Sequence, residues 1–564
     1  MINVGKPIQS LVVTNLLERG DIPFCIIRED GIDTEFTYYQ FIYESLKKSK
    51  EILDLDIGSG DIVLMMKEHS TDLFQTYTGA ILIGAVPAII PHPTTKIDSR
   101  VYSENMRLLI GRTQAKAVFM GKRTSHLIFP NADTMREFGI FNLEFKNRSA
   151  LSVSEIPNPD PNDIATIQHS SGTTGLRKGI PLKHNDITRF LKDYSSQIEL
   201  SREDRFISWL PLYHDWGLIK FFLLPLLNQN FVYLMSPFDW ILDPVSLFEM
   251  ICKHRGSITG LSNFALNVCT HKIPEGRMDG LDLTTLRYVM LSSEVIRNHS
   301  LKTFIERFGK FGLKEGIFAC AYGMAENTLL ATHTPTNKLI KRLIVDRKLL
   351  ERTGDVKELN DRNKENAIQL ISCGKTFGSN EIRVVDDEDN ELNCMQKGSI
   401  QCRSDHLFSG YHKRDDLNSK IFTKDGWYRT GDSGFLDEDR ELYVLGREDD
   451  LIIIGGTNIY PEDIEEIIDR VEGVRKGRNA VVGIYNLTTG TELLCAIVEP
   501  SSDFVDTTKG LNFRIRSKVQ RELDLIIDRI HIVPRNWLMK STSGKMARQL
   551  NKERLVKTFD KRSI

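Results

Sequence analysis

Between Ser170 and Gly179 the chain reads Ser-Ser-Gly-Thr-Thr-Gly-Leu-Arg-Lys-Gly, a run of hydroxyls and glycines closed by a lysine. Such a run can cradle phosphates. Gly172 and Gly175 let the backbone approach an anion closely, and the hydroxyls of Ser170, Ser171, Thr173 and Thr174 can donate to phosphoryl oxygens. Lys178 adds a compact positive charge. The spacing is not G-x-x-x-x-G-K-[ST], because Leu176 and Arg177 intervene before Lys178, so an ordinary P-loop NTPase is excluded. By itself the stretch reads equally well as a flexible Ser/Gly/Thr connection. Its meaning depends on what else the chain carries and on the elements that position it.

A strand-like IATIQ, 164–168, leads into the loop. Upstream, strand-like DIVLMM (61–66) and AKAVFM (115–120) alternate with helix-like runs such as STDLFQTYTGAILIG, which predicts an α/β domain with a largely parallel sheet. That texture runs to about residue 445. After it come an apolar strand LIII (451–454), a Gly-Gly turn and a helix opened by Pro461, with Ile464, Ile467, Ile468 and Val471 on one face. The strand LLCAIVEP (493–500), the helix FRIRSKVQREL and the basic tail KSTSGKMARQLNKERL complete a smaller α+β domain. No internal repeat is visible, and the polar run KELNDRNKEN (357–366) reads as a solvated loop. No appended carrier domain is expected.

With 564 residues the chain exceeds one core and suits two or three domains. Its 74 basic and 76 acidic side chains nearly cancel, which argues against nucleic acid and for small-molecule partners. The eight cysteines form no C-x-x-C pair and have no histidine at metal spacing, so reduced thiols in a cytoplasmic protein are expected over a zinc site or disulfide scaffold. The N-terminus lacks the pattern of a secretory signal. The most apolar stretch, 79–90, contains Pro87 and is shorter than the roughly 20 residues a membrane span needs.

Four later segments give the loop company. They are Tyr213-His214-Asp215-Trp216-Gly217; Tyr322-Gly323-Met324-Ala325-Glu326; WYRTGD ending at Asp432, with GREDD after it; and Lys540-Ser541-Thr542-Ser543-Gly544-Lys545. Together the five closely resemble the signature of the acyl-adenylate-forming superfamily, which includes acyl-CoA synthetases, nonribosomal adenylation domains, luciferases and fatty acyl-AMP ligases. The resemblance spans nearly the whole chain. Arg177 departs from it, standing where the family usually has proline.

The resemblance implies a large multi-subdomain N-terminal adenylating domain, 1–446, and a small mobile C-terminal lid domain, 447–564, hinged near Asp449. It implies ATP and Mg²⁺ as cofactors and attack of a carboxylate on the α-phosphorus with loss of pyrophosphate. Two anions must meet, so positive charge has to neutralise them. Thr174 and Glu326 resemble the magnesium-associated pair, hard oxygen donors for a hard cation. Lys178 would face the β- and γ-phosphates. Tyr322, flanked by Ala321 and Gly323, is similar to the aromatic that stacks on adenine, and Ser292, Ser293 and Glu294 to the segment lining the base. Asp432 corresponds to the carboxylate that accepts the ribose hydroxyls, and Arg447 lies at the handover between domains. Lys545 is expected to stabilise the oxyanions of the transition state. For His214 two readings stand, a residue bordering the carboxylate and acyl tunnel or a satisfied structural histidine. Trp216 replaces a smaller residue, often methionine, and is expected to narrow the tunnel. Asn263, Phe264 and Met324 are expected to line it.

Within the superfamily the nearest resemblance is to fatty acyl-AMP ligases, which pass the acyl group to the phosphopantetheine thiol of an acyl carrier protein. WLPLYHD (209–215), SNFA (262–265), YGMAE and above all the segment of about 341–375, resembling their characteristic insertion, point there. That insertion is thought to restrain the small domain and deny CoA a productive site. The alternatives are an acyl-CoA synthetase using free CoA, a stand-alone amino or aryl acid adenylation enzyme, and a silent acyl-adenylate-binding protein. Phe238-Asp239 superficially resembles the amino-acid motif but lies too far beyond the loop. The presence of Lys545, Glu326 and Asp432 argues against silence.

Overall fold

The computed structural model describes residues 2–91, 99–121, 140–141, 149–170, 178–360, 367–454, 457–486, 491–502, 508–523, 525–540 and 545–558. Its largest sheet has nine strands, and the inner ones run parallel: Pro23–Glu29, Phe231–Leu234, Arg205–Ser208, Ile258–Leu261, Tyr288–Leu291 and Phe318–Tyr322 lie side by side in that order. These strands are buried throughout their middle and read as apolar runs, as a sheet covered on both faces requires. Antiparallel Ile32–Thr37 closes one edge, and Thr332–His333 with Lys375–Thr376 closes the other. In such a sheet ligands bind beyond the carboxyl ends of the strands. Ser292–Glu294 and Gly323–Glu326 follow directly at two of those ends.

A second parallel sheet contains Val86–Ile89, Ile62–Met66, Ala117–Met120 and Ile140–Phe141. The helix Thr71–Leu82 starts where Ser70 accepts a hydrogen bond from the Leu73 N–H, a side-chain cap. The IATIQ strand extends over Ile164–Ser170 and forms a hairpin with Lys178–Lys183, in which Ser170 faces Lys178. The expected phosphate loop is thus gripped at both ends by a ladder; Ser171 to Arg177 lie outside the described residues.

An antiparallel sheet of Glu381–Val385, Gly398–Arg403, Tyr428–Leu436 and Leu442–Arg447 then leads to the turn Glu448–Asp450. Beyond it a smaller α+β domain has cores of its own. The helix Pro461–Asp469 buries Ile464, Ile467 and Ile468 against a sheet of Val474–Asn486, Thr491–Pro500 and Arg529–Ile532 and the helix Thr508–Leu523. The apolar spacing read from the sequence is the face that packs. The segment 341–375 is more ordered than its polar composition suggests: Arg342–Asp346 pairs with Ala367–Ile371, and the helix Arg347–Thr353 stands between them. Of the polar run expected to be a loop, 361–366 lies outside the described residues. Among the described residues no helix is long and apolar enough to cross a membrane.

Candidate active site

The strand Phe318–Tyr322 delivers Tyr322 to the end of the sheet, where its hydroxyl donates to Asp432 Oδ2 at 2.6 Å. Next, Gly323 passes so close to the following turn that a Cβ there would lie 1.9 Å from the Leu329 carbonyl oxygen, so no other residue fits. Ala321 is buried on the strand, and its carbonyl accepts from Ser292 Oγ at 3.0 Å, tying two strand ends together. Ser293 sits at φ +77°, a left-handed backbone uncommon for a residue with a side chain. Glu294 Oε1 accepts from the Phe264 N–H at 2.5 Å, and Asn263 Oδ1 from the Arg297 N–H at 3.0 Å. The expected base-lining and substrate segments are therefore hydrogen-bonded to each other.

Asp432 faces Arg447 across the ladder, with Arg447 Nη1 3.3 Å from Oδ1. Burial raises the Asp432 carboxyl above its ordinary range, while Arg447, the Tyr322 hydroxyl and Lys545 pull it back. Glu326, on the short turn Ala325–Asn327, is also buried and raised by burial; the Tyr411 hydroxyl, donating to Oε1 at 2.7 Å, and the Arg447 charge oppose the rise. A buried carboxylate is a hard oxygen donor, and a hard cation there would offset its desolvation. Its expected partner Thr174 lies outside the described residues.

Tyr411 was not singled out from the sequence. It bonds Glu326, exchanges a 3.1 Å hydroxyl contact with Tyr428, and carries Lys178 Nζ 4.9 Å over its ring, a cation–π distance. The cue was a lone aromatic in the polar stretch SGYHKRDD. Lys178 and Glu326, expected at the outer phosphates and at the magnesium respectively, thus share Tyr411 as a neighbour.

His214 and Asp215 are in direct contact through Nδ1 and Oδ1. The Trp216 N–H donates to Asp215 Oδ1 at 2.7 Å. Burial would raise Asp215, but His214, the Trp216 N–H and Lys545 together hold it below the ordinary carboxylate range. His214 thus has a structural partner and keeps a quarter of its side chain exposed. Trp216 opens a π-helical stretch, Trp216–Leu223, and is 1% exposed. Its ring covers Gly260, where a Cβ would lie 2.5 Å from Cζ2, so it fills space over the strand Ile258–Leu261. Met324 and Phe264 are half-buried against the same core.

Lys545 is exposed, yet its charge reaches both Asp215 and Asp432. The tail lysine of the small domain thus acts electrostatically on two carboxylates of the large domain. Lys540, five residues earlier, is half-buried; desolvation and Arg478 lower its amine to about 8, and Nζ lies 5.1 Å over the Phe264 ring. Asp449 sits in the turn Glu448–Asp450 between the two domains.

The hairpin of Ile164–Ser170 with Lys178–Lys183, the Tyr322–Asp432 pair at the sheet end and a tail lysine acting on Asp215 and Asp432 are arranged as the sequence resemblance leads one to expect. Residues 17–412 match the family described as AMP-binding enzyme, and the chain belongs to that family. The chain is 27% identical to the 4-hydroxyphenylalkanoate adenylyltransferase of Mycobacterium marinum, across 94% of this chain and 87% of that one. It is also 27% identical to the medium-chain-fatty-acid–[acyl-carrier-protein] ligase JamA of Moorena producens, across 90% and 88%. In structure it resembles a chain from a study of fatty acyl-adenylate ligases from E. coli and L. pneumophila, with a TM-score of 0.85, 25% identity and 98% of each chain covered.

Proposed function

We propose that the enzyme activates a fatty or related carboxylic acid with ATP and passes the acyl group to the phosphopantetheine thiol of an acyl carrier protein. The observation that supports the first step is that the charge of Lys545 lowers the carboxyls of both Asp215 and Asp432. A carboxylate oxygen attacks the α-phosphorus, the bond to the bridging oxygen breaks, and pyrophosphate leaves. Lys545 would stabilise the crowded oxyanions more than the separated reactants. Tyr322 and Asp432 would hold adenine and ribose, with Ser292, Ser293 and Glu294 along the base, while Lys178 and the loop 170–175 take the outer phosphates. Glu326 and Thr174 would hold Mg²⁺, whose charge neutralises the phosphates when bound. His214 and Trp216 border the acid, with Asn263, Phe264 and Met324 beyond.

Transfer follows when a thiolate attacks the acyl carbonyl and AMP departs. Two features support a carrier protein as acceptor. The first is the likeness to the ligases just named. The second is the contact of the 341–375 segment with the small domain: Arg347 Nη2 bonds the Leu523 carbonyl, and the helix Arg347–Thr353 lies on the strand Thr457–Ile459. A segment so placed would restrain rotation about Asp449. Acid-dependent exchange of labelled pyrophosphate into ATP tests the first step. Exchange stimulated by fatty acids supports the reading, and its absence across a broad acid panel rejects it.

A further inference from the structure

Arg297 belongs to the large domain, but its guanidinium is committed to the small one. Nη1 lies 2.7 Å from Asp463 Oδ1 and Nε 3.4 Å from Glu466 Oε2, both on the helix Pro461–Asp469, and only 15% of the side chain is exposed. The Arg297 N–H is fixed to Asn263 Oδ1, so this cation is anchored in the same segment that forms the expected acid pocket. The small cavity beside it has room for about 20 Å³, roughly one water, so the junction is closely packed.

Glu462 and Glu465, on the adjoining stripe of the same helix, both bind Arg548, at 2.6 and 2.7 Å. Arg548 also reaches Asp450, beside the expected hinge, at 2.9 Å. Arg548 follows Lys545 by three residues. A neutral hydrogen bond thus ties Asn263 to Arg297, ion pairs tie Arg297 to the helix 461–469, and further ion pairs tie that helix to Arg548, three residues from Lys545. Lys540 on the Phe264 ring forms a second contact for the same segment, and Lys540 pairs with Met546 in an antiparallel bridge.

We propose that Arg297 is a positioning residue for adenylate formation: by clasping Asp463 and Glu466 it seats the small-domain helix so that Arg548 aims Lys545 at the reacting acid. This rests on the adenylate-forming reading above. The clasp must open for any domain rotation, so it acts on the first half-reaction and not on the second. A displacement of about 1 Å at a catalytic group can cost on the order of 100-fold in rate.

The test uses the full chain with Arg297→Ala, Arg297→Lys, and Asp463→Asn combined with Glu466→Gln, so that the clasp is cut from either side. Pyrophosphate exchange reports the first half-reaction, and cleavage of supplied acyl-adenylate by N-acetylcysteamine reports the second. Exchange kcat is expected to fall about 100-fold in Arg297→Ala and in the double variant, with partial recovery in Arg297→Lys, ATP KM within about threefold and thiol cleavage unchanged. Amide hydrogen exchange over 461–469 should accelerate in the same variants. Parent-level exchange, or an equal fall in both half-reactions, would overturn the proposal and leave Arg297 a stability contact. Should Arg297→Ala fail to fold, the small-domain double variant decides. If the parent shows no acid-dependent exchange, the adenylate reading fails instead, and unaltered protection of 461–469 would then independently reject the clasp.

Discussion

The Tyr322 hydroxyl donates to Asp432 Oδ2 at 2.6 Å across 110 residues of sequence, while Arg447 lies 3.3 Å from the other oxygen. The bond fixes the plane of the aromatic ring and the orientation of the carboxylate at once. A hydrogen bond to a charged group contributes about 1.5–3 kcal/mol. Tyr322→Phe should therefore raise the ATP KM by roughly tenfold while altering kcat less, which ATP-dependent exchange kinetics will show.

Lys545→Ala should lower the rate of adenylate formation by at least about 100-fold, because a preorganised charge at a developing oxyanion is lost. ATP affinity by calorimetry should stay within about threefold, since the lysine acts mainly on the transition state. Near-parental pyrophosphate release would remove Lys545 from its assigned role.

Tyr411→Phe keeps a ring beneath Lys178 but deletes the 2.7 Å bond to Glu326. Burial then raises Glu326 with less opposition, so its charged form is harder to maintain. The Mg²⁺ concentration for half-maximal exchange should rise several-fold, and a parental Mg²⁺ profile would show that Glu326 does not serve the metal.

Trp216 covers Gly260 with its ring, so Trp216→Met opens space over that strand. Activity across acids of increasing chain length should shift toward longer ones. An unchanged profile would place Trp216 in the core alone.

Lys220 is fully buried, 3.2 Å from Met290 Sδ and 4.5 Å over the Tyr288 ring, with Tyr194, Phe221, His333 and Arg287 around it. Burial, with the Arg287 charge, holds its amine well below the ordinary 10.5. Between that lowered value and 10.5 the unfolded chain carries a proton that the folded chain lacks. Stability thus climbs with pH through this window, by up to about 1.4 kcal/mol per pH unit. Lys220→Met should raise the melting temperature at pH 7 and flatten the rise toward pH 9. Equal pH slopes in both proteins would contradict this.

The parts of the site that are local in sequence were legible. The strand leading to the loop, the strand-end segments around Tyr322 and the apolar face of Ile464, Ile467 and Ile468 follow from short-range pattern. What stayed hidden depends on distant partners. Tyr411 gains meaning only where the chain folds it against Glu326 and Lys178. Lys540 carries no local sign of its contact with the distant Phe264 ring. Lys220 lies in an apolar run whose π-helical turn has no local signal. The helix Arg347–Thr353 was obscured by its polar composition, since it packs against a second domain.

The most direct test of the account is to incubate the enzyme with ATP, Mg²⁺, fatty acids of graded length, free CoA and a phosphopantetheinylated carrier protein, and to identify the products by mass spectrometry. Acyl-AMP and acylated carrier protein without acyl-CoA is the predicted result. Efficient formation of acyl-CoA would contradict it, showing that the 341–375 segment does not exclude free CoA and that the enzyme is an acyl-CoA synthetase.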